Sequence, residues 1–447
     1  MSQESDRSSN DNNETSKNNA FEERAPQNDL PQNGLDQDRG NDVLSHEEVR
    51  TTKVVAGQKS TSAQKESKKG LFTKSRSLEI GVAIGLAAVI AIGAASFTIA
   101  ANANNSNANN SANGNQNNAQ AVDDLKELRL GYFGNVTHAL PVVGVQQGFY
   151  AKELGKTELK TQIFNAGPAT VEALNAGALD AAYLGPNPAI NSFVKSKGES
   201  ISIVAGAASG GAQLVVKPGI NSAADLKGKV LATPQLGGTQ DVALRNYLAD
   251  NGLKVATNGG NDVTINPTDN AQTLKLFQDG KLDGAWLPEP WSSRLVLQAG
   301  ARVLVDEKDL WHAQGSQDGQ FSTTILIVNK SFLKDHPQAI KSLLKAQLET
   351  QDWLDQHKGQ AISAVNAGLV QASGKGLPDD VVKRALDSLT LTADPIAGTY
   401  KTLLANGVKA GVTKDADING IFDLRLLNEI LKEQGKTIVS TAGLGQS

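Results

Sequence analysis

Four stretches carry the side chains that could do chemistry. "GNVTH" offers Asn135, Thr137 and His138, and "LGPNP" offers Gly185 and Asn187. "LGGTQ" offers Gly237, Gly238, Thr239 and Gln240, and "WLPEPW" offers Trp286, Glu289 and Trp291. None of these forms a catalytic constellation. The chain holds no H-E-x-x-H, G-x-S-x-G or Walker motif, and "GGTQ" lacks the phosphate-binding lysine. It has five histidines and no cysteine, which removes disulfides, thiolate metal sites and cysteine nucleophiles. Asp415, Asp417, Asn419 and Gly420 match the start of a calcium loop, but Leu426 stands where a bidentate glutamate is required. The four stretches therefore read as binding loops, with no catalytic residue, metal or cofactor. His138 reads as a hydrogen-bonding group in a cleft, with a purely structural histidine as the alternative.

The elements around these loops alternate. Short apolar runs ("LRLGYF", "KTQIFN", "DAAYLG", "ISIVAGAA", "QLVVKP", "KVLATP", "VTINP", "GAWLP", "RVLVD", "TTILIVN") are separated by helix-like stretches. That order predicts an α/β fold with largely parallel sheets. From Ser331 onward the pattern is almost all helix. Each of the four loops follows a strand, where open α/β sheets bind ligands. Asn135 or Thr137, Asn187 and Thr239 are the expected N-caps of the helices that follow, with Pro141 and Pro188 in first turns. A helix start brings free N–H groups and about half a positive charge. Three such starts favour an anion.

The chain has 447 residues and a formal net charge of −4, which argues against nucleic acid as a partner. Residues 1–77 are polar and poor in large apolar side chains, and read as a disordered cytoplasmic tail. Residues 78–101 contain "IGVAIGLAAVIAIGAASFTIAA", uncharged and about 33 Å long as a helix, enough for a hydrocarbon core of about 30 Å. Basic residues precede it and no charge follows until Asp123, so the remainder is expected outside the cytoplasm. The run is longer than an ordinary signal peptide, so an uncleaved single-pass anchor in the cell membrane is preferred to cleavage after Ala103. Residues 102–122 are an Asn-rich linker. Residues 123–447 form the globular region.

Five ordered motifs resemble one family. "GNVTHALPVVGVQQGFYAKELG", "FNAGPATVEALNAGALDAAYLGPNPAINSF", "ATPQLGGTQDVALRNYL", "DGAWLPEPWSSRL" and "TTILIVNKSFLKDHP" resemble the nitrate, sulfonate and taurine group of ABC-transporter substrate-binding proteins, over roughly residues 126–436. The resemblance implies a two-lobed, type II periplasmic-binding-protein fold. One lobe would hold residues 124–212 and 322–447, the other 213–321, closing on a ligand by a hinge. It also implies a monomer that delivers its ligand to a permease and its ATPase, and a cleft lined by "GNVTH", "LGPNP", "LGGTQ" and "PEPW".

The helix starts favour an oxyanion, and an organosulfonate ranks first. Glu289 would meet a cation on the ligand, as the ammonium of taurine supplies, unless it pairs with Arg294 one turn on. Trp286 and Trp291 would pack the ligand's body, or else a core. Nitrate, bicarbonate and a thiamine-pyrimidine precursor stay open as ligands. So does the reading of the chain as a membrane-anchored sensor.

Overall fold

The computed structural model describes residues 125–256, 261–314 and 316–447. The tail, the apolar run Ile80–Ala101 and the linker expected from the sequence lie outside these residues. Among the described residues no helix is long and apolar enough to cross a membrane.

All ten strands expected from the apolar runs form. They are β1 (Glu127–Phe133), β2 (Glu158–Phe164), β3 (Ala181–Leu184), β4 (Ile201–Gly210), β5 (Ala212–Val216), β6 (Val230–Thr233), β7 (Thr264–Pro267), β8 (Gly284–Pro288), β9 (Arg302–Asp306) and β10 (Ser322–Asn329). They divide between two sheets. Through these ten the first runs β4-β10-β3-β1-β2 and the second β7-β6-β8-β5-β9. Three further strands were not expected. β11 (Leu389–Leu391), β12 (Phe422–Asp423) and β13 (Gly445–Gln446) join the first sheet, β11 and β12 beside β4 and β13 beside β12. They are too short to show alternation, so the helix-rich C-terminal third hid them.

Parallel pairing holds within each lobe, in β1 with β2 and β3, and in β6 with β7 and β8. The exceptions are β11, which runs antiparallel to β4, and the strands that enter a lobe from the other one. β5 runs antiparallel to β8 and β9, and β10 runs antiparallel to β3 and β4. A chain that crosses over arrives at the opposite end of the sheet, which reverses its direction. The first crossing is made at Gly210 and Gly211, with φ of 78° and 68°, values that favour glycine.

β3 is buried along its whole length and β4 at nine of its ten positions, as expected of strands covered on both faces. The first-lobe core joins them to the Pro337–Gln356 helix through Leu184, Ile203, Ile325, Ile340 and Leu343. A buried chain of hydrogen bonds pins that helix to the sheet. Tyr150 and Tyr183 hydroxyls lie 2.7 Å apart, Tyr183 donates to Gln347 at 2.7 Å, and Gln347 donates to the Gly206 carbonyl at 2.8 Å. The second lobe has a core on each face of its sheet. Leu214, Leu231 and Trp286 pack one, and Val215, Ala285 and Leu287 the other.

Candidate functional site

Strand ends from both lobes meet around a small cavity of about 30 Å³, enough for about two waters. Asn135, Thr137, His138 and Gly185 reach it from the first lobe, and Gly238, Thr239 and Gln240 from the second. Seven of the twelve site residues expected from the sequence are thus brought together. No residue lining the cavity is charged.

The cavity is bordered by the starts of three helices, Gly167–Asn175, Pro186–Lys195 and Thr239–Asp250. Their N-caps are Ala166, Gly185 and Gly238, and none of the three has a side-chain cap. This corrects two of the expected caps: Thr239 is the first helical residue and Asn187 the second, one and two positions inside their expected places. Asn135 does hold the N-cap position of the short helix Val136–His138, without a side-chain cap hydrogen bond. Two of the first three residues of the Pro186–Lys195 helix are proline, which has no N–H to give. That helix offers the dipole and the Asn187 amide only. The Thr239–Asp250 helix keeps a full set of first-turn donors. Its Asp241 carboxylate is turned away, held by Arg245 Nε at 2.9 Å and the Thr233 hydroxyl at 3.0 Å.

Two further donors are neutral. Thr239 is buried, and its Oγ1 has no hydrogen-bond partner among the described residues. His138 is stacked on Phe133 with ring centroids 4.2 Å apart, and its Nδ1 accepts the Phe133 N–H at 3.3 Å. With Nδ1 accepting, the proton sits on Nε2. Full burial pushes the His138 pKa down to about 3, so the ring is a neutral donor at any physiological pH.

The other five expected residues sit elsewhere. Asn187 donates to the Leu403 carbonyl at 3.0 Å. Gly237, at φ 77°, donates its N–H to Asp241 and lines a neighbouring surface groove. Trp286 is a correction: it is fully buried in the second-lobe core, with Nε1 on Glu307 at 2.8 Å. Along β8 successive side chains face opposite sides, so Trp286 points into the lobe. Trp291 donates its Nε1 proton to Asn135 Oδ1 at 2.9 Å across the lobes and lines an adjoining space.

Glu289 is the second correction. It is 0% exposed, and both carboxylate oxygens are taken by protein donors. Oε1 accepts from Arg384 at 3.0 Å and Oε2 from the Ser293 N–H at 3.0 Å. Arg294 lies instead over the Trp291 ring, 4.6 Å from its centroid. The Arg294 pair is therefore not formed, and each Glu289 oxygen already has a protein donor. Arg384, on the Asp379–Asp387 helix, also reaches Ser293 Oγ at 2.7 Å and Gln213 Oε1 at 2.9 Å. One guanidinium thus ties the helix Asp379–Asp387 to β5, to Glu289 just after β8 and to the helix Trp291–Ala299.

Sequence reasoning missed Asn165, Gly167, Thr323 and Thr324, which also line the cavity. For the first two a signal existed: "NAGPAT" follows β2 as "GNVTH" follows β1, with a proline in the first turn.

Gly185 shows how close the lobes come. A Cβ there would lie 2.3 Å from Thr239 Oγ1 and 3.2 Å from Thr239 Cβ. Thr137 N–H donates to the Glu289 carbonyl at 3.3 Å, and Asn246 to the Asn406 carbonyl at 2.9 Å.

Comparisons with known proteins agree with this fold. The nitrate/nitrite binding protein NrtA of Nostoc is 26% identical over 258 residues, 53% of this chain and 56% of that protein. The structure of the alkanesulfonate-binding protein SsuA of Xanthomonas axonopodis, bound to MOPS, matches with a TM-score of 0.53 at 22% identity, covering 65% of this chain and 95% of that one. The nitrate-binding protein NrtA of Synechocystis matches with a TM-score of 0.54 at 17% identity, covering 66% and 83%. These structures establish the periplasmic-binding-protein fold. Residues 122–368, more than half of the chain, match the model of the NMT1-like family. The chain belongs to the NMT1-like family, and the resemblance read from its five motifs is borne out.

Proposed function

We propose that this chain is the extracytoplasmic solute-binding component of an ABC importer and that it captures a small oxyanion between its lobes, with an organosulfonate ranked first. The observation that carries the reading is the set of helix starts without side-chain caps around a cavity with no charged lining. An anion there meets N–H groups and dipoles, with Thr239 and neutral His138 as further donors. His138 Nδ1 is taken by the Phe133 N–H and Thr239 Oγ1 has no hydrogen-bond partner among the described residues, so the reading is of a ligand held and released unchanged. The names of the relatives, which bind nitrate or alkanesulfonates, support the ligand class. With Glu289 engaged by Arg384, the ammonium of taurine gains no partner there, so simple sulfonates rank above taurine. Delivery to a permease and its ATPase belongs to the same proposal, as does anchoring through Ile80–Ala101.

The test is thermal unfolding of the full chain, purified in detergent, with nitrate, bicarbonate, methanesulfonate, taurine and aminopyrimidines. A ligand at about a hundred times its dissociation constant adds roughly 2.7 kcal/mol. A rise in midpoint with oxyanions alone supports the proposal, and a rise only with the aminopyrimidines contradicts it.

A further inference from the structure

We propose that the space beside the oxyanion cavity is a second compartment of the same ligand site, shaped for an aromatic body that ends in a hydrogen-bond donor. The inference rests on the oxyanion reading above. The compartment measures about 360 Å³, the size of a small-molecule pocket. Asn135 and Asn165 line both spaces, so a ligand seated on the helix starts has its free end directed past these two residues. Both lobes build the walls. Ile163, Phe164 and Leu377 come from one, and Ala271, Trp291 and Arg294 from the other.

The walls also carry Asp269, Arg294 and Lys375, and their apolar part favours a flat group. Ile163 is 36% exposed, a large apolar side chain left open at the end of β2. Trp291 and Phe164 offer ring surface to a planar partner. A second observation points to what the far end carries. Asn270, which lines the compartment, is 4% exposed, and its Oδ1 has no hydrogen-bond partner among the described residues. A buried acceptor without a partner is costly; that oxygen is itself closed to solvent, so an N–H or O–H on the ligand would satisfy it once the amide turns toward the compartment. Nitrate or methanesulfonate would fill the cavity and leave the compartment and Asn270 unused. An arenesulfonate bearing a hydroxyl or amino group would use both.

The test is calorimetric titration of the full chain in detergent with methanesulfonate, benzenesulfonate and 4-hydroxybenzenesulfonate, before and after Ala271→Trp. Ala271 is exposed at the first turn of the Asn270–Gln278 helix, so the larger side chain narrows the compartment without entering a core. Buried apolar carbon is worth about fourfold in affinity per methylene. The ring is expected to bind at least ~10-fold more tightly than methanesulfonate, and the hydroxyl to add about threefold or more. Ala271→Trp is expected to cut the ratio of benzenesulfonate to methanesulfonate affinity by about tenfold. Asn270→Ala is expected to remove the gain from the hydroxyl. If methanesulfonate binds but benzenesulfonate binds no better, or Ala271→Trp leaves the ratio unchanged, the compartment is overturned while the oxyanion reading stands. If the hydroxyl adds nothing, the role of Asn270 is overturned. If none of the three sulfonates binds, both readings fall together.

Discussion

His138 enters the cavity without charge. Its pKa, pushed down by burial to about 3, keeps imidazolium out of the site across the working range. Oxyanion affinity is therefore expected to be flat between about pH 5.5 and 8, set against an ordinary histidine pKa of about 6.5. A rise in affinity as pH falls through that value would assign binding to a cation instead. Gly185 gives a sharper prediction. Its φ of −79° suits any residue, so Gly185→Ala leaves each lobe unstrained. Yet its Cβ would strike Thr239 across the interface. The expected outcome is a small change in unfolding midpoint with at least ~10-fold weaker ligand binding, because closure is blocked. Unchanged affinity would mean that the lobes do not meet at Thr239 in the bound state. The residues legible in the sequence were those at strand ends, His138, Gly238 and Thr239 among them. Trp286 was misread because an aromatic in a strand shows its type but not its face until the sheet is assembled.

The helix Asp379–Asp387 has a part in joining the lobes that no local pattern announced. Arg384 stands 95 residues from its partner Glu289, beyond any spacing rule, and only the folded sheet brings them together. Removing the guanidinium leaves a buried carboxylate with no counter-charge, so Arg384→Met is expected to cost about 3 kcal/mol in denaturant unfolding. Adding Glu289→Leu should recover part of that loss, a coupling that a double-mutant cycle reads. Strict additivity of the two changes would contradict the pair. The helix Glu307–Ala313 carries a second buried carboxylate. Glu307 accepts from Trp286 and Trp311, and burial pushes its pKa up from 4.5 to about 7. The folded chain then holds a proton that the unfolded chain releases between those values, so this group's contribution falls as pH rises from about 4.5 through 7. His138 acts in the opposite sense, favouring the folded state progressively as pH rises from about 3 to 6.5. Glu307→Gln should therefore make stability rise more steeply with pH across pH 5–7 in urea titrations. An unaltered slope would show that Glu307 does not titrate in that window.

At the level of the two lobes, the alternation of apolar runs was enough to place ten strands and to indicate an α/β fold. The doubling into two sheets came from the resemblance, since composition and periodicity do not mark a crossing. The antiparallel entry strands β5 and β10 were not legible either, because strand direction depends on which end of a sheet the chain reaches. The crossing at Gly210 and Gly211 lies beside the Glu289–Arg384 pair, with the Glu289 N–H on the Gly211 carbonyl at 2.9 Å. Crossing and clasp therefore form one neighbourhood, and the cavity lies between sheets held together there.

The central claim is that a negative charge is bound where no positive side chain waits for it. The most direct measurement compares methanesulfonate with methanesulfonamide, its uncharged counterpart of similar shape, by calorimetric titration of the full chain near neutral pH. Helix starts worth together about 2 kcal/mol predict that the anion binds roughly thirtyfold more tightly. Equal affinity for the two, or preference for the amide, would contradict the account.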